Sequence, residues 1–387
     1  MTAQITSTST TTTLQNNGNT YISVDTNDVV TMNQASLNGG QLAGRRNIVI
    51  NGEMKVSQRS TSVAGLGGGS AYATLDRYRT AVGAASAGRF TMAQIADGPA
   101  GFANCLKITT TTADTSIAAG ENLQIVTRFE GQDVQQLQKG TATAKQVTVS
   151  FYVKGNATAT YTCELQDYDN GRSIQQAFGV TTAWNRIELT FAADTSDPFD
   201  DDNAGSLGLA FWLHGGSTYT GGTFSSNAWK DTVDNTRLSD SQTSIFDATS
   251  RTFFLTGIQM ELGDTATEFE HRSYAEELYL CQRYFRQWGA HANTMLGMGL
   301  TYNATNVHRW GIELIPPMRA APTGAFSGTC GLWNGGGIGT VAVLSTNYTK
   351  PDMIQYDLTC NSGIDAGIGK VARVYLNTGT FTATAEL

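Results

Sequence analysis

The sequence predicts an all-β protein: a jelly-roll β-sandwich, one connecting helix and a second, smaller C-terminal β domain, with an extended segment at the N-terminus. Three observations support this fold class. Short segments in which every second residue is apolar recur along the chain, as in strands with one buried face. Glycine accounts for 42 of 387 residues and charged residues for only 15%, a balance typical of β proteins with many turns. A single segment has the apolar spacing of a helix.

Residues 1–44 differ in composition from the rest of the chain. Residues 6–13 form a Ser/Thr run without a large apolar side chain, which alone cannot offset its ordering entropy. Alternation on both sides of a turn at residues 26–28 predicts a small hairpin with apolar positions Ile22, Val24, Val30 and Met32. Because an isolated hairpin is marginal, we expect this segment to gain order from another chain, by trimer formation or by docking on a larger assembly. The alternative is a flexible tail.

Residues 45–270 carry the predicted sandwich. Segments 47–59 and 253–270 are expected to be its first and last strands. Their apolar positions are Ile48, Ile50, Met54 and Val56 in the first, and Phe254, Ile258, Met260 and Leu262 in the last. Four alternating segments lie between them: Val147, Val149, Phe151 and Val153; Tyr161, Cys163 and Leu165; Ile187, Leu189 and Phe191; Leu207, Leu209, Phe211 and Leu213. Short strands separated by Gly, Asn and Asp are typical of a sandwich.

Residues 271–288 are predicted to form the connecting helix. Ser273 and Glu276 have the spacing of a capping box, and the apolar face would consist of Leu278, Cys281, Tyr284 and Phe285. Residues 289–387 return to strand-like alternation. The expected inward positions are Leu296, Met298, Leu300 and Tyr302, then Trp310, Ile312 and Leu314. Glycine clusters at residues 335–337 and 363–369 separate the later strands, of which residues 371–376 are one.

Charge and composition exclude several classes of function. The net charge is −8 and Lys and Arg form no cluster, which argues against nucleic-acid binding. The absence of an 18-residue apolar stretch argues against membrane insertion, and the N-terminus lacks the charged and apolar regions of a signal peptide. The five cysteines are widely spaced and odd in number. We therefore expect buried free thiols, consistent with folding in a reducing cytoplasm.

Several ordered motifs resemble a module of tailed-bacteriophage virion proteins that occurs in tail fibres and other surface appendages. They read NIVINGEMKVSQR, LDRYR and EFEHRSYAEELYLCQRYF, and the resemblance covers roughly residues 45–322. The matching positions are Asn47, Asn51, Gly52, Glu53, Met54, Gln58, Arg59, Asp76, Arg77, Tyr78, Gln259, Glu261, Gly263, Phe269, Glu270, Arg272, Ser273, Glu277, Cys281, Gln282, Arg283 and Tyr284. Tyr78 replaces a common Trp, and Glu268 replaces the usual Pro. The first and last strands are also similar to those of bacterial carbohydrate-binding sandwiches.

The resemblance implies a non-enzymatic virion structural protein, assembled in the host cytoplasm as a homotrimer, whose residues 1–44 bind other virion proteins. The leading expectation is a tail fibre or receptor-binding protein that contacts host surface glycans, with weak contacts multiplied by avidity. The alternative is a capsid decoration or capsid fibre protein that binds coat subunits. A glycan depolymerase is a third possibility, because one sequence cannot place two carboxylates relative to each other.

Three groups of residues are candidates for functional or structural sites. Trp212, Tyr219 and Trp229 are glycan-binding candidates, since exposed aromatic rings stack on sugars or anchor interfaces; the alternative is core or inter-subunit packing. A calcium site is possible at Asp197, Asp200, Asp201 and Asp202, next to Asp194, although such a loop can simply be solvated. Arg45, Arg46, Arg59, Asp76 and Arg77 are expected to form a structural polar network. Hydrolase, phosphate-loop and zinc-protease motifs are absent from the sequence.

Overall fold

The computed structural model describes residues 45–84, 86–289, 291, 293–304, 307–334, 338–360 and 369–387, and four strands within residues 4–32. These four strands form an antiparallel meander: β1 (Gln4–Ser7), β2 (Thr11–Asn16), β3 (Asn19–Asp25) and β4 (Val30–Met32). The pairing of Ile22 with Met32 and of Val24 with Val30 confirms the predicted hairpin. Its turn and the glycines at residues 335–337 and 363–368 lie outside the described residues.

Two six-stranded antiparallel sheets form the sandwich. Its strands are β5 (Ser62–Leu66), β6 (Arg79–Val82), β7 (Arg89–Ile95), β8 (Cys105–Thr112), β9 (Asn122–Glu130), β10 (Val147–Gly155), β11 (Ala159–Asp167), β12 (Arg172–Val180), β13 (Asn185–Phe191), β14 (Gly205–Gly215), β15 (Lys230–Asp231) and β16 (Thr252–Leu262). Two one-turn helices, α1 (Gly131–Val134) and α2 (Ser217–Thr220), and 3₁₀ turns at Gln135–Leu137 and Asp234–Thr236 lie in the connections. The sheet orders are β13-β10-β16-β8-β7-β5 and β15-β12-β11-β14-β9-β6.

The core between the two sheets confirms the all-β sandwich. The four alternating segments predicted between residues 147 and 213 supply β10, β11, β13 and β14, and their apolar residues all contribute to one hydrophobic cluster. Strands β10 and β11 belong to different sheets, so the turn at Gly155 and Asn156 crosses the sandwich rather than closing a hairpin. Each fully buried Phe, Leu or Val in this cluster contributes roughly 1.5–3 kcal/mol.

The prediction of a regular first strand at residues 47–59 is wrong. The segment does lie beside β16, where Ile48 N donates to Met260 O (2.9 Å) and Ile258 N donates to Gly52 O (3.0 Å). Asn51 and Met54, however, have positive φ angles of 60° and 57°, which interrupt an extended backbone. The parity also changes, because Val49 is buried together with Met54 and Val56, whereas Ile48 and Ile50 are half-buried.

A β-bulge changes the predicted inward face of the last strand, β16. Gly257 has φ +62°, and the register with β10 shifts beside it. One extra residue reverses which alternate side chains face the core. Phe253 and Leu255 therefore point inward before the bulge, and Ile258 and Met260 do so after it. Phe254, predicted to be inward, instead packs on Trp184 (ring centroids 6.2 Å apart).

The predicted helix at residues 271–288 is too long. Helix α3 (Tyr274–Cys281) is followed by a turn and then by strand β17 (Phe285–Gly289). Ser273 caps the helix as predicted, because its side chain accepts a hydrogen bond from Glu276 N (3.2 Å). Glu277 and Cys281 are the buried helical positions, whereas Leu278 is half-buried. Tyr284 and Phe285, assigned to the helical face, are buried beyond the helix.

The C-terminal region is a closed six-stranded barrel with a three-stranded sheet beside it. Further strands are β18 (Thr294–Ala304), β19 (Val307–Glu313), β20 (Thr323–Phe326), β21 (Thr329–Trp333), β22 (Ile338–Lys350), β23 (Met353–Cys360), β24 (Val371–Thr378) and β25 (Thr380–Thr384). The barrel order is β18-β19-β23-β22-β21-β24, and β17, β25 and β20 form the sheet. A second hydrophobic cluster fills this region.

A bulge also changes the predicted parity in β18. The register with β24 shifts between Met295 and Gly297. Leu296 is buried as predicted, but Met298 and Leu300 are 62% and 52% exposed. Their positions after the bulge place them on the outer wall of the barrel. The prediction for the next strand is confirmed, since Trp310 and Leu314 are buried, and Ile312 packs against the same cluster.

Candidate functional site

Residues of the resemblance motifs form a polar junction that ties residues 45–59 to β16 and α3. Asn47 Nδ2 donates to Ile258 O (3.1 Å), and Asn47 Oδ1 accepts from Met260 N (3.2 Å). Asn51 is fully buried, and its Nδ2 donates to Val56 O (2.8 Å). These side chains satisfy backbone groups that the irregular segment does not pair in a β-ladder.

The same junction continues through buried polar residues in β16 and in the segment that follows it. Gln259 Nε2 donates to Glu261 Oε1 (2.8 Å), and Gln259 Oε1 accepts from Glu270 N (2.8 Å). Glu261 accepts from the backbone N (2.9 Å) and the hydroxyl (2.6 Å) of Thr267. Arg272 donates to the backbone of residues 45–59. A buried polar network with partners this specific favours one arrangement of the chain.

Three of the five predicted network residues, Arg59, Asp76 and Arg77, form a cluster with Glu386, the residue before the last. Its carboxylate pairs with Arg59 Nη2 (2.9 Å) and Arg77 Nη1 (2.6 Å). Arg59 Nη1 lies 3.7 Å from Asp76 Oδ1, and the Arg77 guanidinium lies 3.4 Å from the ring centroid of Tyr284. Arg77 is 1% exposed. The cluster therefore links the sandwich to the C-terminal region.

Burial dominates the electrostatics of this cluster. It raises the pKa of Asp76 to about 6, although a hydrogen bond from Gln58 and the charge of Arg59 act in the opposite direction. The other two predicted members lie elsewhere. Arg45 pairs with Glu276 at the surface, and Arg46 donates through its backbone N to Glu270 Oε2 (2.9 Å).

Trp212 is not an exposed aromatic, so that part of the glycan-site prediction is wrong. Its side chain is fully buried on the outer face of β14, beneath the loop that follows the strand. Its Nε1 donates to Glu164 Oε2 (2.9 Å), and Arg237 from the loop lies 4.6 Å from the ring centroid. Arg237 also forms a buried ion pair with Glu164 (2.6 Å).

Tyr219 and Trp229 are half-buried and lie in different surroundings. The Tyr219 ring packs 5.1 Å from Trp212, and its hydroxyl accepts from Asn122 Nδ2 (2.7 Å). Trp229 packs against the sandwich core, and its Nε1 donates to Ala192 O (2.8 Å). The three predicted residues therefore do not form one aromatic platform. Glycan binding by Tyr219 or Trp229 stays a prediction.

The predicted calcium loop is organised around a lysine. Lys139 Nζ lies 2.7 Å from Asp167 Oδ2 and 3.2 Å from Asp194 Oδ2, and it donates to the carbonyls of Ser196 (2.8 Å) and Asp197 (2.6 Å). Four oxygens thus surround a buried ammonium. The four residues predicted to bind calcium are all exposed: Asp197, Asp200, Asp201 and Asp202. The described part of the chain contains no group of three or more Asp, Glu, His or Cys side chains that could together bind a metal ion.

Charge pairing also sets the protonation of the acidic residue beside Lys139. Burial alone raises the pKa of Asp194, but hydrogen bonds from Arg172 and Lys139 outweigh it and hold that pKa below its ordinary value. Arg172 Nε lies 2.9 Å from the Asp194 carboxylate. The carboxylate is therefore ionised and already neutralised by two protein cations.

One buried group has the residue types of a serine-hydrolase triad. His214 Nδ1 lies 2.8 Å from Ser244 Oγ, and His214 Nε2 lies 3.3 Å from Glu121 Oε2. The histidine is 0% exposed and packs on Phe246, whereas Ser244 Oγ accepts a hydrogen bond from Phe246 N (3.0 Å). A nucleophile must reach its substrate, and this buried geometry instead suits a core histidine with polar partners.

Exposed apolar side chains concentrate on the C-terminal barrel, a feature that the sequence pattern did not predict. Of the described residues, those with large exposed apolar side chains in this region are Met295, Met298, Leu300, Ile315, Trp333, Tyr348, Met353 and Val371. Exposed apolar patches commonly mark binding surfaces. Alternation alone could not separate the inner and outer walls because of the bulge in β18.

All five cysteines are buried, as predicted, and Cys105, Cys163, Cys281 and Cys330 are free thiols. Burial raises the pKa of the Cys105 and Cys330 thiols to about 12. Within the described residues, no helix has both the length and the apolar character needed to span a membrane.

Comparisons with known proteins find similarity at the level of solved structures. No family model matches the chain, and no curated protein matches it. A family 11 carbohydrate-binding module from a Clostridium thermocellum cellulosomal cellulase is 13% identical, with a TM-score of 0.27, and covers 55% of this chain and 100% of its own. The CBM22-1 xylan-binding domain of Paenibacillus barcinonensis Xyn10C is 13% identical, with a TM-score of 0.27, and covers 60% and 100%.

A CBM4 structure is 14% identical, with a TM-score of 0.23, over 41% of this chain and 70% of its own. TM-scores this low support no conclusion about what this chain binds.

Proposed function

We propose that this chain is a bacteriophage virion structural protein of the tail-fibre type, which contacts host surface glycans through its C-terminal barrel. The observation that carries the proposal is the junction of the phage-type motif residues. Asn47 is distant in sequence from Gln259 and Arg272, yet hydrogen bonds join them in one network. Asn47 accepts from Met260 N in β16, and Arg272 donates to Val49 O. Gln259 accepts from Glu270 N, and the Glu270 carboxylate accepts from the backbone N of Asn47. The motifs thus have a common physical role, which supports the resemblance as more than scattered identities.

The N-terminal meander supports a role of residues 1–44 in binding another virion protein. Its register aligns Ile5 with Leu14, Leu14 with Ile22 and Ile22 with Met32. A cross-strand row of apolar positions needs a second layer to cover it. A coat or tail subunit, or the other chains of a homotrimer, would provide that layer, and three copies would raise the avidity of weak glycan contacts.

A capsid decoration or capsid fibre protein is the second candidate. The same apolar row in the N-terminal sheet would fit a coat subunit, and the exposed barrel would then extend from the capsid. The surroundings of His214 support binding rather than hydrolysis, because its ring is buried. A depolymerase would shorten host polysaccharide chains during incubation with the purified protein, whereas we expect their length to stay unchanged.

Location on the particle tests the proposal directly. Antibodies raised against the purified chain, coupled to gold and viewed on intact phage, should label the tail. Label on the capsid would favour the decoration protein instead, and absence of the chain from purified particles would contradict both. Light scattering of the purified protein should give the mass of a trimer.

A further inference from the structure

We propose that a pocket on the outer wall of the C-terminal barrel binds a sugar residue that carries a carboxylate. The pocket has a volume of about 260 Å³ and is lined by Asn293, Met295, Trp333, Arg373 and Tyr375. This inference deepens the proposed function, because it identifies the barrel surface and the chemical class of glycan that it would recognise.

Three adjacent strands bring these residues together. Arg373 on β24 is the register partner of Met298 on β18 and of Trp333 on β21, while Tyr375 is the partner of Met295 and Gly331. Alternate residues of a strand point to the same face. Since Ala372 and Val374 are buried in the barrel core, Arg373 and Tyr375 face outward.

The wall is shaped to carry aromatic rings at fixed positions. A Cβ atom on Gly331 would lie 2.7 Å from a ring carbon of Tyr375, so the ring lies directly over this glycine. Trp333 is 37% exposed, and the guanidinium of Arg373 lies 4.7 Å from its ring centroid. The aromatic groups therefore stand on paired strands rather than on a loop, which limits the entropy lost on binding.

The chemistry of these groups fits an acidic sugar. Aromatic rings offer an apolar surface to the C–H face of a pyranose, and their polar edges remain available for hydrogen bonds. Arg373 is exposed, and among the described residues no carboxylate is paired with it. A guanidinium binds a carboxylate through two parallel hydrogen bonds. The pocket is slightly smaller than the roughly 300–1,000 Å³ of sites for drug-sized ligands, which suits a single sugar unit.

The charge distribution permits an anionic ligand here despite the acidic chain. Residues 289–387 contain five Lys or Arg and five Asp or Glu, whereas the whole chain has a net charge of −8. The excess negative charge therefore belongs to the preceding residues. At physiological ionic strength, charges beyond about 8 Å are largely screened, so the local charge of Arg373 dominates at the pocket.

Titration of the full-length protein with matched sugars tests the proposal. The probes are trigalacturonate, a glucuronic-acid disaccharide and sialyllactose, each compared with its methyl ester by calorimetry up to millimolar concentration. We expect at least one acid to bind, and its ester to bind about tenfold more weakly or worse, since a charge-assisted pair is lost. Arg373→Gln and Trp333→Ala should each weaken binding of that acid by about tenfold.

Two variants on the same barrel serve as controls. Arg309→Gln removes a half-buried arginine that is already paired with Asp357 (2.8 Å). Tyr348→Ala removes an aromatic side chain that is 44% exposed on β22. Both should bind the acid like the unmodified protein. Unchanged circular dichroism and thermal midpoint would show that each variant is folded.

Several results would overturn the inference. They are binding of none of the acids, equal binding of acid and ester, or full binding by folded Arg373→Gln. A change in the oligomeric state of Trp333→Ala, seen by light scattering, would instead assign this wall to contacts between copies of the chain. If gold labels the tail but the pocket fails one of these tests, the proposed virion role stands and the pocket proposal fails. If the pocket binds the acid but the chain is absent from particles, the pocket proposal stands and the virion role fails.

Discussion

Glu386→Ala tests whether the cluster of Glu386 with Arg59 and Arg77 stabilises the contact between the sandwich and the C-terminal region. The substitution removes the carboxylate shared by Arg59 and Arg77, whose side chains are 13% and 2% exposed. Breaking a buried ion pair by deleting one partner costs roughly 3–5 kcal/mol, because the remaining charge stays desolvated. We expect a loss of free energy of unfolding in that range, and a smaller loss for Glu386→Gln, which keeps the shape and one acceptor.

Equilibrium urea unfolding followed by tryptophan fluorescence would measure the change. Hydrogen exchange would localise it, because the Ala385 amide donates to Tyr284 O (2.8 Å) and should exchange faster in the variant. Arg45→Ala is the matched control, since its ion pair with Glu276 has side chains 52% and 36% exposed and should contribute about 0–1 kcal/mol. If Glu386→Ala lowers the free energy of unfolding no more than Arg45→Ala does, the Glu386 cluster does not stabilise the fold as we infer.

Three further predictions concern the sandwich. Lys139→Met should lower the free energy of unfolding, measured in urea, by roughly 3–5 kcal/mol, because it leaves the buried carboxylate of Asp167 unpaired. A chelator should not change the thermal midpoint of the unmodified protein. Burial lowers the pKa of His214 below 6.5, so the unfolded chain binds the proton more tightly than the folded chain does. The free energy of unfolding should therefore fall as the pH drops below 6.5, and it should fall less in His214→Gln. Equal slopes of unfolding free energy against pH in the two proteins would contradict this. Gly257→Ala should cost about 1–3 kcal/mol by thermal unfolding, because φ is +62°, whereas Gly179→Ala, with open space around it, should be nearly neutral.

Alternation predicted the sandwich strands because local pattern and tertiary burial agree there. Phe151 in β10 and Leu165 in β11 lie in strands without a bulge of their own, so every second residue enters the core. The pattern failed at β16 and β18, where one extra residue changes the inward face. A glycine lies at each bulge, but glycine is so common in this chain that its presence alone could not identify the two positions.

The candidate sites depended on contacts that a linear pattern does not contain. Trp212 has the parity of an exposed residue, yet Arg237 in the long loop that follows β14 covers it. The sequence suggested calcium as the cation of the acidic loop, but Lys139 brings a protein cation to this loop from another connection. Trp333 and Arg373 become neighbours only through strand register, so their shared pocket had no signal in sequence spacing.

The pairing of β17 with β25 has a consequence for how such a chain could change its target. Gly289 faces Thr380 across this pair, so the polypeptide leaves for the barrel and returns from it at nearly the same point. Because these two positions are neighbours, the stretch between them can be exchanged as a unit for another sequence whose ends fit β17 and β25. Under the tail-fibre role proposed above, recombination at these two positions would change the glycan-contacting barrel and leave the sandwich and residues 1–44 unchanged.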